Sequence, residues 1–211
     1  MKIKREDMAL YAVTDRAWLG EETLESQVEK ALRGGATFVQ LREKELDKAH
    51  FLEEARALKA LCAKYKVPFV INDDVDVALA VDADGVHVGQ SDMAASLARE
   101  KLGPDKIIGV SCKTVRQAML AKEQGADYLG VGAMFPTGTK TDATEVSFQA
   151  LKDVCQAVDI PVVAIGGISA ANLEKLGGAG IAGVAVVSAI FAQPDIEAAT
   201  RQLKEQVTQI L

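Results

Sequence analysis

Five short polar clusters follow apolar, strand-like runs: Gln40-Leu41-Arg42-Glu43-Lys44, Asn72-Asp73, Gly89-Gln90-Ser91-Asp92, Pro136-Thr137-Gly138-Thr139-Lys140 and Gly166-Gly167-Ile168. Together they carry cations, hydroxyls, carboxylates and bare backbone, a set suited to phosphorylated ligands and a hard divalent cation. In the run 38–44, Phe38, Gln40, Arg42 and Lys44 share one face of an extended chain, while Val39, Leu41 and Glu43 share the other. Val39 and Leu41 belong against helices, which turns Gln40 and Arg42 inward, and cations on one face at a strand end favour anion binding.

Asn72-Asp73 and Asp92 place two carboxylates at different strand ends. Such a pair can share magnesium and leave its other coordination positions to water and phosphate oxygens. Asp92 also stands where a helix N-cap would, and Asp74 can cap the helix after Asp73. The hydroxyls and backbone N–H groups of 136–140 can meet phosphate oxygens, with Lys140 adding charge. Gly166-Gly167-Ile168-Ser169 and Val187-Ser188-Ala189 end the last two apolar runs, where a phosphate site would sit beside a helix N-terminus. His87 shares a face with Gly85 and Gly89, so it either lines the cavity or is a satisfied core histidine; His50 lies on a surface helix. Ser111 can hydrogen-bond a ligand, but no adjacent His or Asp marks it as a nucleophile.

These residues must be gathered by the elements that carry them. Strand-like runs recur at 10–14, 37–41, 69–72, 85–88, 106–111, 128–132, 162–166 and 183–187. Helical periodicity falls between and after them at 23–33, 46–65, 75–81, 93–101, 115–124, 148–158, 170–176 and 196–210. The alternation predicts an α/β fold, a single (β/α)8 TIM barrel with parallel strands and outer helices over residues 1–211. Such a barrel collects its strand C-termini on one face, so residues distant in sequence can surround one ligand. A doubly wound open sheet is the alternative, but no G-x-G-x-x-G opens a helix after the first strand.

The 211 residues, 49% of them hydrophobic, can bury a full core. A net charge of -6 argues against a broad footprint for nucleic acid or anionic membrane, so functional cations must be focused in a cleft. Cys62, Cys112 and Cys155 lack metal-ligand spacing and read as small apolar residues. The charged N-terminus is followed by an apolar run too short for a signal or membrane segment, so cytoplasmic residence is the expectation.

Over nearly the whole chain, from Tyr11-Ala12-Val13-Thr14-Asp15 through His87-Val88-Gly89-Gln90 to Gly166-Gly167-Ile168, the ordered clusters resemble thiamine-phosphate synthases. The resemblance implies a transferase that joins hydroxymethyl-aminopyrimidine diphosphate to hydroxyethyl-methylthiazole phosphate and releases pyrophosphate. It implies that Gln40, Leu41, Arg42, Glu43, Lys44, Asn72, Ser111 and Lys140 hold the pyrimidine diphosphate, with Arg42, Lys44, Ser111 and Lys140 catalytic. Thr137, Gly138, Thr139, Gly167, Val187 and Ser188 would take the thiazole phosphate, and Asp73 and Asp92 the Mg2+. Its partners would be two phosphorylated small molecules, with neither nucleic acid nor membrane. The alternatives are a thiazole-phosphate tautomerase-like isomerase, which needs an acid or base and has Ser111 where its histidine is expected, or a non-catalytic sensor of thiazole or thiamine phosphate.

Overall fold

The computed structural model describes residues 3–90, 93–138 and 145–211. Eight parallel strands close in sequence order into a barrel: β1 (Leu10–Val13), β2 (Phe38–Leu41), β3 (Phe69–Asn72), β4 (Gly85–Val88), β5 (Ile107–Cys112), β6 (Tyr128–Val131), β7 (Val162–Ile165) and β8 (Gly183–Val186). The helices are α1 (Leu24–Gly34), α2 (Lys48–Tyr65), α3 (Val75–Ala80), α4 (Ala95–Leu102), α5 (Val115–Glu123), α6 (Phe148–Ala157), α7 (Ser188–Phe191) and α8 (Ile196–Ile210). The predicted strands agree with these to within a residue at each end.

Alternation along each strand divides the core in two. Val39 and Leu41 join the apolar layer between strands and helices, whereas Phe38 lies in the inner cluster with Tyr11, Val70, Ile107 and Tyr128. Three aromatic rings fill the barrel centre: Tyr11 and Phe38 lie 4.5 Å apart, Phe38 and Tyr128 5.6 Å, and Tyr11 and Tyr128 5.9 Å. The last pair meets edge to face, an arrangement favoured by the aromatic quadrupole.

The helix starts use side-chain caps written in the sequence. Thr23, Asp47, Asp74, Thr114, Ser147 and Asp195 each accept a backbone N–H at the first turn of the following helix. The expected helix over 170–176 is not formed; only a 3-10 turn at Leu173–Leu176 appears. Asn172 accounts for the difference, because its side chain accepts from Ser169 N at 2.9 Å and donates to Gly167 O at 2.9 Å. Such local bonds compete with helical ones. A short helix the sequence reading did not anticipate, α7, follows β8 instead.

At the strand N-terminal face, acidic side chains tie neighbouring strands. Asp84 accepts from Phe69 N at 2.8 Å and from Lys59 Nζ at 2.7 Å. Asp127 accepts from Ile108 N at 2.8 Å and from Arg99 Nη2 at 2.6 Å. Among the described residues, no helix is long and apolar enough to cross a membrane.

Candidate active site

The loop after β2 is built around Glu43. Its Oε1 accepts backbone N–H bonds from Lys44, Glu45 and Leu46 at 2.7, 2.8 and 3.3 Å, and its Oε2 accepts from Arg16 Nε at 2.5 Å. Burial pushes the Glu43 carboxyl up, but these donors outweigh it and hold it below the ordinary glutamate range. Arg16 also binds Glu54 at 2.5 Å; there burial wins, and Glu54 is held above its usual value. Glu43, with a side chain 2% exposed, is therefore a loop organiser rather than a group presented to a ligand. What it organises is the run that presents Arg42 and Lys44.

Arg42 is fixed from β1. Its N–H donates to Thr14 Oγ1 at 3.0 Å, and its guanidinium Nη1 lies 3.3 Å from Asp15 Oδ2. Lys44 reaches across to the end of β3, where its Nζ lies 3.1 Å from Asp73 Oδ2. The same oxygen accepts from Asn72 Nδ2 at 2.7 Å. Asp73 has a φ of 64°, a left-handed backbone costing about 1–2 kcal/mol for a residue with a Cβ, and its N–H donates to His87 O at 2.8 Å. Strain of this kind concentrates at functional positions. A cleft of about 360 Å3 beside it is lined by Asp73, Asp74, Val75, Asp76 and Met93. Asp74 caps α3, as expected.

On the opposite side of the mouth, Ser111 near the end of β5 bonds His87 Nε2 through Oγ at 2.9 Å, while its carbonyl accepts from Gln90 Nε2 at 2.7 Å. His87, 7% exposed, is thus a hydrogen-bonded core histidine whose far edge reaches a candidate ligand group. His50 is exposed and sits beside its helix cap Asp47, whose carboxylate raises its pKa.

The loops after β6 and β7 close on each other. Phe135 N donates to Gly166 O at 3.0 Å, and Gly167 sits so near that a Cβ would lie 2.4 Å from Pro136 O. This approach sets Gly167 against Phe135 and Pro136, directly ahead of Thr137 and Gly138 in the chain. Ser188 is exposed at the start of α7, while Val187 packs against the inner core.

The mouth therefore unites Gln40, Arg42, Lys44, Asn72, Asp73 and Ser111. Leu41 is fully buried between barrel and helices, so its side chain is not among them. Asp92, Thr139 and Lys140 lie outside the described residues. Thr14 and Asp15, which hold Arg42, entered from sequence only as part of the resemblance and without a role, and Asn172, which holds Gly167, carried no sequence signal. Two of the three cysteines are buried and all are free thiols.

Residues 10–190 match the family model described as thiamine monophosphate synthase. The chain belongs to the thiamine monophosphate synthase family. A thiamine-phosphate synthase of Clostridium botulinum is 50% identical over 200 residues, covering 95% of this chain and 94% of that protein. Thiamine-phosphate synthase 2 of Streptococcus pneumoniae is 47% identical over 209 residues, covering 99% and 100%. A solved thiamine phosphate pyrophosphorylase from Pyrococcus furiosus superposes with a TM-score of 0.91 at 40% identity over 98% of each chain. As a member of the thiamine monophosphate synthase family, this TIM barrel is a transferase acting on small molecules.

Proposed function

We propose that this chain, acting as one catalytic unit, condenses hydroxymethyl-aminopyrimidine diphosphate with hydroxyethyl-methylthiazole phosphate to give thiamine phosphate and pyrophosphate. The observation that carries the reading is the meeting of the β2 and β3 loops, where Lys44 contacts Asp73 while Arg42, two residues earlier, is held by Asp15. The pyrimidine C–O bond breaks first, the electron-rich ring spreads the positive charge, and the thiazole nitrogen then attacks. No protein nucleophile is needed: Ser111 does have a histidine neighbour that its sequence surroundings do not suggest, His87 Nε2 at 2.9 Å, but the reaction as proposed draws no nucleophile from it.

The protein's work is to stabilise the departing pyrophosphate. A charge contact at about 4 Å is worth on the order of 4 kcal/mol at an effective dielectric near 20, before desolvation is subtracted. Arg42, Lys44 and Lys140 acting together reach the scale of a typical enzymatic barrier reduction, roughly 8 kcal/mol or more. The exposed Lys44–Asp73 pair is weakly held, as surface ion pairs contribute about 0–1 kcal/mol, so a diphosphate can readily take over Lys44.

What supports a magnesium site is the acidic cleft beside Asp73, lined also by Asp74 and Asp76. Asp73 and Asp92 would hold the ion, with water and diphosphate oxygens completing its shell, the arrangement magnesium prefers. An ion held by these residues would offset charge on the leaving pyrophosphate. Gly167, Ser188 and the Thr137–Thr139 loop would take the thiazole phosphate.

Incubating purified protein with both substrates and magnesium tests the reading: thiamine phosphate and pyrophosphate should appear in equal amounts. Ligand binding without pyrophosphate release would replace this reading with that of a sensor. Asp73→Ala should raise the magnesium concentration for half-maximal rate by about tenfold or more; an unchanged metal titration excludes direct ligation.

A further inference from the structure

Beneath the mouth, five strands contribute to one chain of side-chain hydrogen bonds through the barrel. Gln40 Nε2 on β2 donates to Tyr11 Oη on β1 at 2.5 Å. Tyr11 Oη meets Tyr128 Oη on β6 at 2.7 Å, and Tyr128 Oη meets His87 Nδ1 on β4 at 2.9 Å. His87 Nε2 then meets Ser111 Oγ on β5 at 2.9 Å. Both ends of the chain are candidate groups for the pyrimidine, while its middle is sealed, with Tyr11 1% and Tyr128 0% exposed. Gly109 makes the passage possible. A Cβ there would lie 2.1 Å from Tyr128 Cζ and 2.5 Å from His87 Nδ1.

The direction of the chain follows from counting donors. Each phenol has one proton, and a buried hydroxyl left without an acceptor costs about 1–3 kcal/mol. Burial raises both phenols far above the usual tyrosine range, so each keeps that proton. Tyr11 accepts from the Gln40 amide and so gives its proton to Tyr128, which gives its own to His87 Nδ1. With Nδ1 accepting from Tyr128, the proton of the His87 ring sits on Nε2 and is donated to Ser111 Oγ. Ser111 is left to donate its hydroxyl proton outward, and Gln40, with its NH2 group turned to Tyr11, keeps its amide oxygen as the acceptor it can offer a ligand.

We propose that this relay presets the two ends as an acceptor at Gln40 and a donor at Ser111, making Tyr11, Tyr128 and His87 positioning residues for the aminopyrimidine substrate. The complement is chemical: an exocyclic amine is a donor, whereas a ring nitrogen or a diphosphate oxygen is an acceptor. The assignment rests on the functional reading above for the identity of the ligand, but the polarity is a property of the protein alone.

Two measurements test it separately. The chain has two histidines, and His50→Gln leaves one to observe, so ring 15N shifts report the His87 tautomer directly. The expected form is Nε2–H; an Nδ1–H ring in the wild type overturns the relay without any assay. In kinetics, Tyr128→Phe keeps the ring and removes the central hydroxyl. It should raise KM for the pyrimidine diphosphate about tenfold, leave KM for the thiazole phosphate within about twofold, and perturb the His87 shifts. Tyr11→Phe should repeat the pattern. Equal changes in both KM values, or none, in an enzyme whose wild type turns over would overturn the positioning role. A wild type that releases no pyrophosphate yet holds the Nε2–H tautomer instead retires the functional reading and leaves the relay's polarity standing.

Discussion

Residue chemistry at the mouth separates groups that face a ligand from groups that hold them. Read from alternation, Gln40 and Arg42 turn inward, and the structure gives that orientation to the strand. Glu43 looked like part of the same polar run, yet its carboxylate is consumed by Arg16 and three backbone amides. Sequence spacing gives the face of a residue but not which partner claims it, since Arg16 lies 27 positions away. Glu43→Gln should therefore lower Tm by roughly 2–4 °C, the shift for about 1 kcal/mol in a chain of this size. Because the folded carboxyl is depressed, its stabilisation is present above the unfolded glutamate pKa and is lost as pH falls through the folded value. The Tm gap between wild type and variant should be widest near neutral pH and close on acidification; a gap that widens in acid would remove Glu43 as the loop's anchor. The thiols make a simpler case. Burial raises Cys62 and Cys112 to about 12 and Cys155 to about 11, so a thiol reagent at neutral pH should label native protein far more slowly than unfolded protein.

Elements were legible where periodicity and caps agreed. The six side-chain caps are each a Ser, Thr or Asp ahead of an apolar-periodic run, so the corresponding helix starts fell within two residues of expectation. The segment after β7 failed because Asn172 diverts Ser169 N and Gly167 O into side-chain bonds, a choice that a three-to-four-residue hydrophobic repeat does not report. Its consequence is a tight loop rather than a helix end. Gly167, at φ 65°, lies in the left-handed region and within contact of Phe135 and Pro136 carbonyls. A side chain there meets both backbone strain of about 1–2 kcal/mol and a clash that pushes the β6 loop away. Gly167→Ala should raise KM for thiazole phosphate about tenfold while leaving the pyrimidine KM within about twofold. Steady-state titration of each substrate against a saturating level of the other checks it, and a selective pyrimidine defect would move the thiazole site elsewhere.

For the whole molecule, the barrel assigns its two faces different work. The candidate ligand groups collect at the strand C-terminal ends and the cross-strand ties of Asp84 and Asp127 at the N-terminal ends, matching the division between chemistry and stability that parallel barrels use generally. The sequence made the first face visible through its polar clusters, because charged and glycine-rich runs stand out against apolar strands. The second face is not legible in the sequence, since Asp84 and Asp127 look like ordinary turn residues until their cross-strand bonds are seen. Arg99 is the test of this division. Its guanidinium spans Gly103 O at 2.8 Å, Lys106 O at 2.6 Å, Gly125 O at 2.9 Å and Asp127 Oδ2 at 2.6 Å, linking α4 to the entries of β5 and β6. Truncating it strands three carbonyls and a carboxylate that together need those donors, a loss of about 2 kcal/mol after water recovers part of the bonding. Arg99→Ala should lower Tm by roughly 4–8 °C while kcat and both KM values at 25 °C stay within about twofold. Thermal melts and initial rates on the same sample separate the two. A fall in kcat with an unchanged melt would mean that the faces are mechanically coupled, and the split between a chemical rim and a structural base would fail for this barrel.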